Sequence, residues 1–322
     1  MEYNKRIADM RIGDDVEGFY ILLDPENKLD SRGKPFMSGK LSDRSGTIPI
    51  KLWDFEGPFR QEDSGCIVKI RGRVSEFKGN SQLTVFRIRE RTPEDSVDLS
   101  ALVSVAPIDT AAALEEILAL FSSMKDPEYK TVCETLWNEH LDAFRSIPAA
   151  KSVHHSFVSG LLMHTLNMLR TADFLAALYH DAIDRDLLLA GTFAHDLQKE
   201  TEFDVSPLGL VQGYSTPGRL LGHLVMGAQC VEEVCRRKGV SEEKSMLLQH
   251  MVLSHHGSPE FGAAVLPMIP EAELLSYIDL IDSRMEIYRE QLAELPAGGF
   301  SGQIFALGKH IYKQKGIGDG QA

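Results

Sequence analysis

The chain predicts a multi-domain protein of mixed α and β type, with a small, partly open β-barrel followed by an all-α domain. Three observations carry that expectation. Up to about residue 92, short runs of β-branched and aromatic residues alternate with turn signals. From "AAALEEILALF" onward, apolar residues recur three and four apart. Between them, "PEDSVDLSALVSVAPIDT" holds no sustained period and reads as a linker over residues 93–110.

Each element follows from its residues. "GFYILLD", "KPFMSGKLSD", "TIPIKLWDF", "CIVKIRGRVSEF" and "SQLTVFRIRE" are the strands, and "DPEN", "SRGKP", "DRSG" and "FKGNS" are the turns between them. About five strands in so short a span suit a small barrel over residues 1–92. The helical domain runs over 111–310, through "FVSGLLMHTLNMLRTADFLAALY", "LGHLVMGAQCVEEVCRR", "EKSMLLQHMVLSHH" and "EAELLSYIDLIDSRMEIY". Residues 311–322 are glycine-rich and expected to be a loose tail.

Composition bounds the function. A net charge of −13 argues against a protein that coats nucleic acid at large. No stretch approaches the roughly 20 apolar residues of a membrane span, so no membrane partner is expected. Cys66, Cys133, Cys230 and Cys235 show no zinc-ribbon spacing and read as reduced thiols of a cytoplasmic protein. The charge is uneven, however. Residues 69–91 carry seven basic and two acidic side chains, as suits one guided polyanion strand or, equally, a solvated sheet face. Lys69, Arg71, Arg73, Lys78 and Arg87 are the candidate contacts. Phe36, Trp53, Phe55, Phe77 and Phe86 could stack bases, although most strand aromatics are core and only a subset, Trp53 among them, is expected to do so.

Nine of the eleven histidines lie between positions 154 and 256. His164 sits on the inward stripe of "GLLMHTLNML", where a lone histidine would usually be a hydrogen-bonded core residue. His223 and His255 repeat that placement on later helices, and Gly257 is a natural cap after His255-His256. "FAHDLQKE" carries His195-Asp196 out of an apolar run, and Asp279 lies inside another. A buried carboxylate needs a positive partner. Three inward histidines and two inward acids on separate helices are satisfied together by one or two shared divalent cations. His180-Asp181 is a decoy: polar residues follow it at a helix end, where the pair can meet water.

The ordered series His164, His195-Asp196, His223, His255-His256 and Asp279 resembles the HD-domain metal-dependent phosphohydrolases. The flanks "PAAKSVHHSFVSGLLMHT", "GYSTPGRLLGHLVMG" and "LSHHGSPEFG" narrow the resemblance. So does the first half, where "MSGKLSDRSGTIPIKLWD" and the "GRVSEFKGNSQLTV" hairpin resemble an OB-fold. Together they are similar to the YhaM-type bacterial 3′-to-5′ exoribonucleases over nearly the whole chain. Three positions depart from that pattern: Gln198 stands in the usual "HDIGK", "VSG" replaces a double glycine, and Arg219 replaces a smaller or apolar residue.

The resemblance implies hydrolysis with two metals. His164, His195, Asp196 and Asp279 would hold one, and Asp196 would bridge to a second held by His223 and by His255 or His256. By its place one helical turn after His195, Lys199 would stabilise the phosphoryl oxygens or else be a solvent lysine, while Lys151, His154 and His155, ahead of the first ligand helix, would contact phosphate or sugar or else form an ordinary polar helix start. His250 and Asp282 would orient ligands. Imidazole and carboxylate donors suit Mn²⁺, Fe²⁺, Co²⁺ or Zn²⁺, with Mn²⁺ favoured. The expected substrate is single-stranded RNA, with DNA open, passed from the barrel into the metal pocket. Two rivals are a hydrolase of small nucleotides or cyclic dinucleotides and a non-catalytic strand-binding protein. A homo-oligomer stays open.

Overall fold

The computed structural model describes residues 2–55, 57–77, 79–103, 106–149, 158–205 and 211–316. They form two compact units, one of residues 1–105 and 205–212, the other of 106–204 and 213–322.

The first unit holds β1 (Glu2–Tyr3), β2 (Asp15–Leu29), β3 (Pro35–Asp43), β4 (Gly46–Trp53), β5 (Ile67–Phe77) and β6 (Asn80–Glu90). Strand order is β1-β2-β3-β4-β6-β5, and β2 also pairs with β5, which closes a five-stranded barrel. The β4–β6 pairing is parallel, from Ile50 opposite Leu83 to Lys51 opposite Thr84. An OB-like barrel is therefore present, but closed rather than partly open as the sequence predicts. The difference lies in β2, which runs through the "DPEN" that reads as a turn. Leu23 pairs with Lys40 and Glu26 with Ser38, so Asp24 and Pro25 together face Gly39. That bulge takes the one strand position where a missing proline N–H does no harm. Glycine suits position 39, since a Cβ there would crowd the Leu23 carbonyl oxygen at 3.0 Å. The bent strand is long enough to pair along one half with β3 and along the other with β5. Alternate residues point inward: Val16, Tyr20, Leu22, Met37, Leu41, Ile48, Ile50, Val68, Ile70, Val74, Leu83 and Val85 fill the barrel.

The "DRSG" turn forms as its residues dictate, with Asp43 Oδ1 accepting from Ser45 N, Ser45 Oγ and Gly46 N. Within the segment expected to be linker, Leu99–Leu102 makes a helical turn, α1, and Ala101 O accepts from Arg44 N.

The second unit is helical: α2 (Thr110–Ser122), α3 (Pro127–Ser146), α4 (Gly160–Leu178), α5 (Arg185–Ala194), α6 (Lys199–Glu202), α7 (Thr216–Leu220), α8 (Gly222–Lys238), α9 (Glu242–Ser254) and α10 (Pro270–Glu294). Between α6 and α7 in sequence lie two short paired strands, β7 (Phe203–Val205) and β8 (Val211–Tyr214), of which Val205, Val211 and Gln212 are counted with the first unit. Asp109 and Asp184 cap α2 and α5 by accepting two backbone N–H groups each. Every residue of α5 after Arg185 is buried, as expected of a helix apolar almost all round. Phe121, Trp137 and Phe144 pack against its Phe193, with Phe144 stacked on that ring at 5.2 Å. At the C-terminal end, Leu307 and Ile311 pack on Ile287 of α10, and residues 317–322 of the expected tail lie outside the described residues. No helix among the described residues is long and apolar enough to cross a membrane.

Candidate metal centre

The core end of α4, the turn after α5, and the facing parts of α8, α9 and α10 each deliver one or two polar side chains to the same buried spot. His164, His195, Asp196, His223 and His255 are all buried. Asp196 lies at their centre. Its Oδ2 is 3.3 Å from His195 Nε2 and 3.6 Å from His164 Nε2. Its Oδ1 is 3.4 Å from His223 Nε2 and 3.7 Å from His255 Nε2. Asp279 Oδ1 lies 3.4 Å from His164 Nε2. His256 stacks edge-on to His255 and completes a second cluster with His223. The structure thus gathers every metal-ligand candidate of the sequence, including both members of the His255-His256 pair. Asp196 stands between two histidine sets.

The other ring nitrogen of each inner histidine is spoken for. His195 Nδ1 donates to Thr192 O at 2.7 Å and His255 Nδ1 to Val252 O at 2.8 Å. His164 Nδ1 lies 2.7 Å from Asp282 Oδ2, and His223 Nδ1 lies 2.9 Å from Glu202 Oε1. Because the acceptors are carbonyls and carboxylates, Nδ1 carries a proton, and it is Nε2 that points at the centre. His164 Nε2 and His195 Nε2 face one another at 3.3 Å. Asp196 Oδ1, His223 Nε2, His255 Nε2 and His256 Nδ1 are buried without a hydrogen-bond partner. Such groups would be costly unless a cation satisfied them all. The residues fit a divalent metal site.

Burial pulls the His195 pKa down, but the neighbouring Asp196 more than offsets it and raises it. Burial and the neighbouring His195 hold His255 well below its ordinary value, and burial lowers His256, so both rings are neutral. Burial alone would raise Asp196, but Lys199 and His195 outweigh it and keep the carboxyl well below the usual range. For Lys199 burial acts downward, and Asp196, 2.5 Å from its Nζ, more than reverses it.

Asp282 is placed as expected, on His164. His250 is not, since its Nε2 accepts from Met268 N instead. His180 and Asp181 are exposed in the turn after α4, away from the cluster. Lys151, His154, His155 and Lys78 lie outside the described residues. Glu202 is a site residue that the sequence does not announce. In "QKETEF" it reads as one more solvated helix acid, yet it accepts from both the backbone and the ring of His223. The "STPG" turn makes this possible: Gly218 lies so close that a Cβ would be 2.2 Å from Glu202 O.

On the barrel, Lys69, Arg71 and Arg73 alternate outward along β5, with Arg87 opposite Arg71. Lys69 pairs with Glu17 at 3.5 Å and Arg73 with Asp15 at 3.9 Å. Trp53 is 47% exposed and lies tilted against Phe36, ring centroids 5.0 Å apart, with Lys51 Nζ over both rings. Phe77 and Phe86 are also exposed, whereas Phe55 packs on the core.

Residues 161–284 match the HD domain family. The 3′-5′ exoribonuclease YhaM of Halalkalibacterium halodurans is 37% identical over 315 residues, 96% of this chain and 96% of that protein. The chain belongs to the YhaM family. Among solved structures, the second OB-fold domain of replication protein A from Methanococcus maripaludis aligns with 30% of this YhaM-family chain and 100% of its own. Its identity is 19% and its TM-score 0.22. The OB domain of Ta0387 from Thermoplasma acidophilum aligns with 30% and 92%, at 17% identity and TM-score 0.25.

Proposed function

We propose that this chain is a metal-dependent 3′-5′ exoribonuclease that removes nucleoside 5′-monophosphates from single-stranded RNA. Family membership supports the reaction class. The single observation that carries the chemistry is Asp196, whose two oxygens address two separate histidine sets. That arrangement supports two cations, one among His164, His195, Asp196 and Asp279, the other among Asp196, His223, His255 and His256. Histidine and carboxylate donors favour Mn²⁺ over Mg²⁺. Bound there, the cations supply Lewis acidity toward the phosphate and a water of lowered pKa.

The protein's own groups do the rest. Asp282 and Glu202 fix the tautomers of His164 and His223, so the ligand nitrogens are preorganised. Lys199, fully charged beside Asp196, offers its ammonium to the phosphoryl oxygens as charge develops. Water adds to phosphorus, the bond to the 3′ oxygen of the penultimate nucleotide breaks, and that oxygen leaves as the new 3′ end. Arg71, Arg87, Trp53 and Phe77 give the barrel a cationic and aromatic surface suited to a single strand. Four free cysteines support a reducing, cytoplasmic setting.

The test is a 5′-labelled oligoribonucleotide with Mn²⁺, followed on a denaturing gel. A ladder shortening from the 3′ end is expected. Hydrolysis of mononucleotides or cyclic dinucleotides with oligonucleotides left intact would replace this reading with the small-nucleotide one.

A further inference from the structure

A pocket of about 630 Å³ opens beside the metal centre, within the range of roughly 300–1,000 Å³ that holds a single small ligand. His255, His256, Asp279 and Lys199 form its inner end. Its outer wall is of another character. Phe261, just after the His255-His256 turn, and Tyr277 of α10 present their rings at 78% and 52% exposure. Leu280 and Arg284 follow Tyr277 on α10 at spacings of three and seven, so all three share one face of that helix. Glu273, one turn before Tyr277 on α10, also lines the pocket. Arg284 lines the pocket with no acidic partner among the described residues.

Two exposed rings, an apolar side chain and an uncommitted guanidinium next to a phosphate-cleaving centre match a nucleotide in size and chemistry. We infer that this pocket seats the 3′-terminal nucleotide. Phe261 and Tyr277 stack its base, and Arg284 binds its phosphate from the side opposite Lys199. Stacking is tolerant of base identity, because every base has a π-face. The pocket therefore selects for the presence of a base rather than for which base it is. The assignment deepens the exonuclease reading and rests on it for the direction in which the chain enters.

The test is calorimetric titration of the full chain in Mn²⁺ with a nucleoside 5′-monophosphate and, separately, with ribose 5-phosphate. The wild type is expected to bind the nucleotide roughly tenfold more tightly, in line with one stacked base. In Phe261→Leu/Tyr277→Leu that preference falls to about one, because the substitutions remove rings that are exposed and leave the core intact. Arg284→Gln weakens both ligands by the same factor. Equal affinity of the wild type for the two ligands overturns the assignment. In parallel, RNA ending in an abasic 3′ nucleotide should show a raised KM with the wild type and an unchanged KM with the double variant. A chain that degrades RNA but ignores the missing base refutes the pocket and spares the exonuclease. One that prefers the nucleotide yet cleaves no oligonucleotide does the reverse.

Discussion

Asp196 gives one oxygen to His164 and His195 and the other to His223 and His255, and an amide in its place keeps the shape without the charge. Asp196→Asn is therefore expected to abolish hydrolysis while leaving single-strand binding in place, as a gel assay beside a filter-binding titration would show. His180→Ala should cleave at the wild-type rate, being exposed and remote. Glu202→Gln tests a subtler role. An amide oxygen can still accept from His223 Nδ1, but the anion that makes the ring a better ligand is gone. Metal affinity should drop about tenfold, the low end of what outer partners of metal ligands contribute, read by equilibrium dialysis at fixed pH. The contrast between Asp196 and Glu202 shows what the sequence makes legible. An acid after eight largely apolar residues announces its burial. Glu202 sits among Lys199, Glu200 and Thr201, and it is buried only because the chain doubles back over it at Gly218.

Strands and helices show the same division. The period of two along β5 puts Lys69, Arg71 and Arg73 on one outward face, and the structure agrees. Their acidic neighbours Glu17 and Asp15 belong to β2, more than fifty residues earlier, and no local pattern could reveal that register. The basic side chains of this surface are thus unequal. Arg71→Gln/Arg87→Gln should lower the log–log salt slope of RNA binding by about 1.4, or roughly 0.7 for each phosphate that is no longer neutralised. Lys69→Gln/Arg73→Gln, whose charges are already paired, should lower it by less than half as much. Among the helices, His140 of α3 contacts Glu200 of α6 and lies 3.6 Å from Cys230 Sγ of α8. Burial pulls the His140 pKa down, but its hydrogen bonds to Cys230 and Glu200 lift it from 6.5 to about 9. Folding thus favours the protonated ring. The stability it adds is complete below pH 6.5 and is lost as pH rises through about 9. Unfolding free energies of the wild type, from denaturant titration, should fall across that window by up to roughly 3 kcal/mol relative to those of His140→Gln. Parallel curves for the two proteins would exclude the effect.

Two units each have their own hydrophobic core, and among the described residues only the helical one holds the cluster of unpartnered nitrogens and oxygens. Chelation should therefore act on one unfolding transition. A cation at about 100 times its Kd adds about 2.7 kcal/mol, so stripping it should lower the helical unit's Tm by roughly 5–10 °C in calorimetry. The barrel's transition should stay where it was. A uniform shift of both transitions would argue against a site confined to the helices. Barrel first and helices second was legible from residue periods alone. Barrel closure was not, because it depends on β2 being bent by a bulge that sequence reads as a turn.

The bond between His164 Nδ1 and Asp282 Oδ2 joins residues 118 positions apart. During synthesis, the first ligand helix leaves the ribosome long before the segment that orients its histidine. At roughly 5–20 residues per second, that interval is about 6–24 s. Throughout it the nascent chain already carries every strand of the barrel, but no complete set of the candidate ligands. On the proposed reading, the protein would be born as a binder and become a nuclease only when α10 arrives.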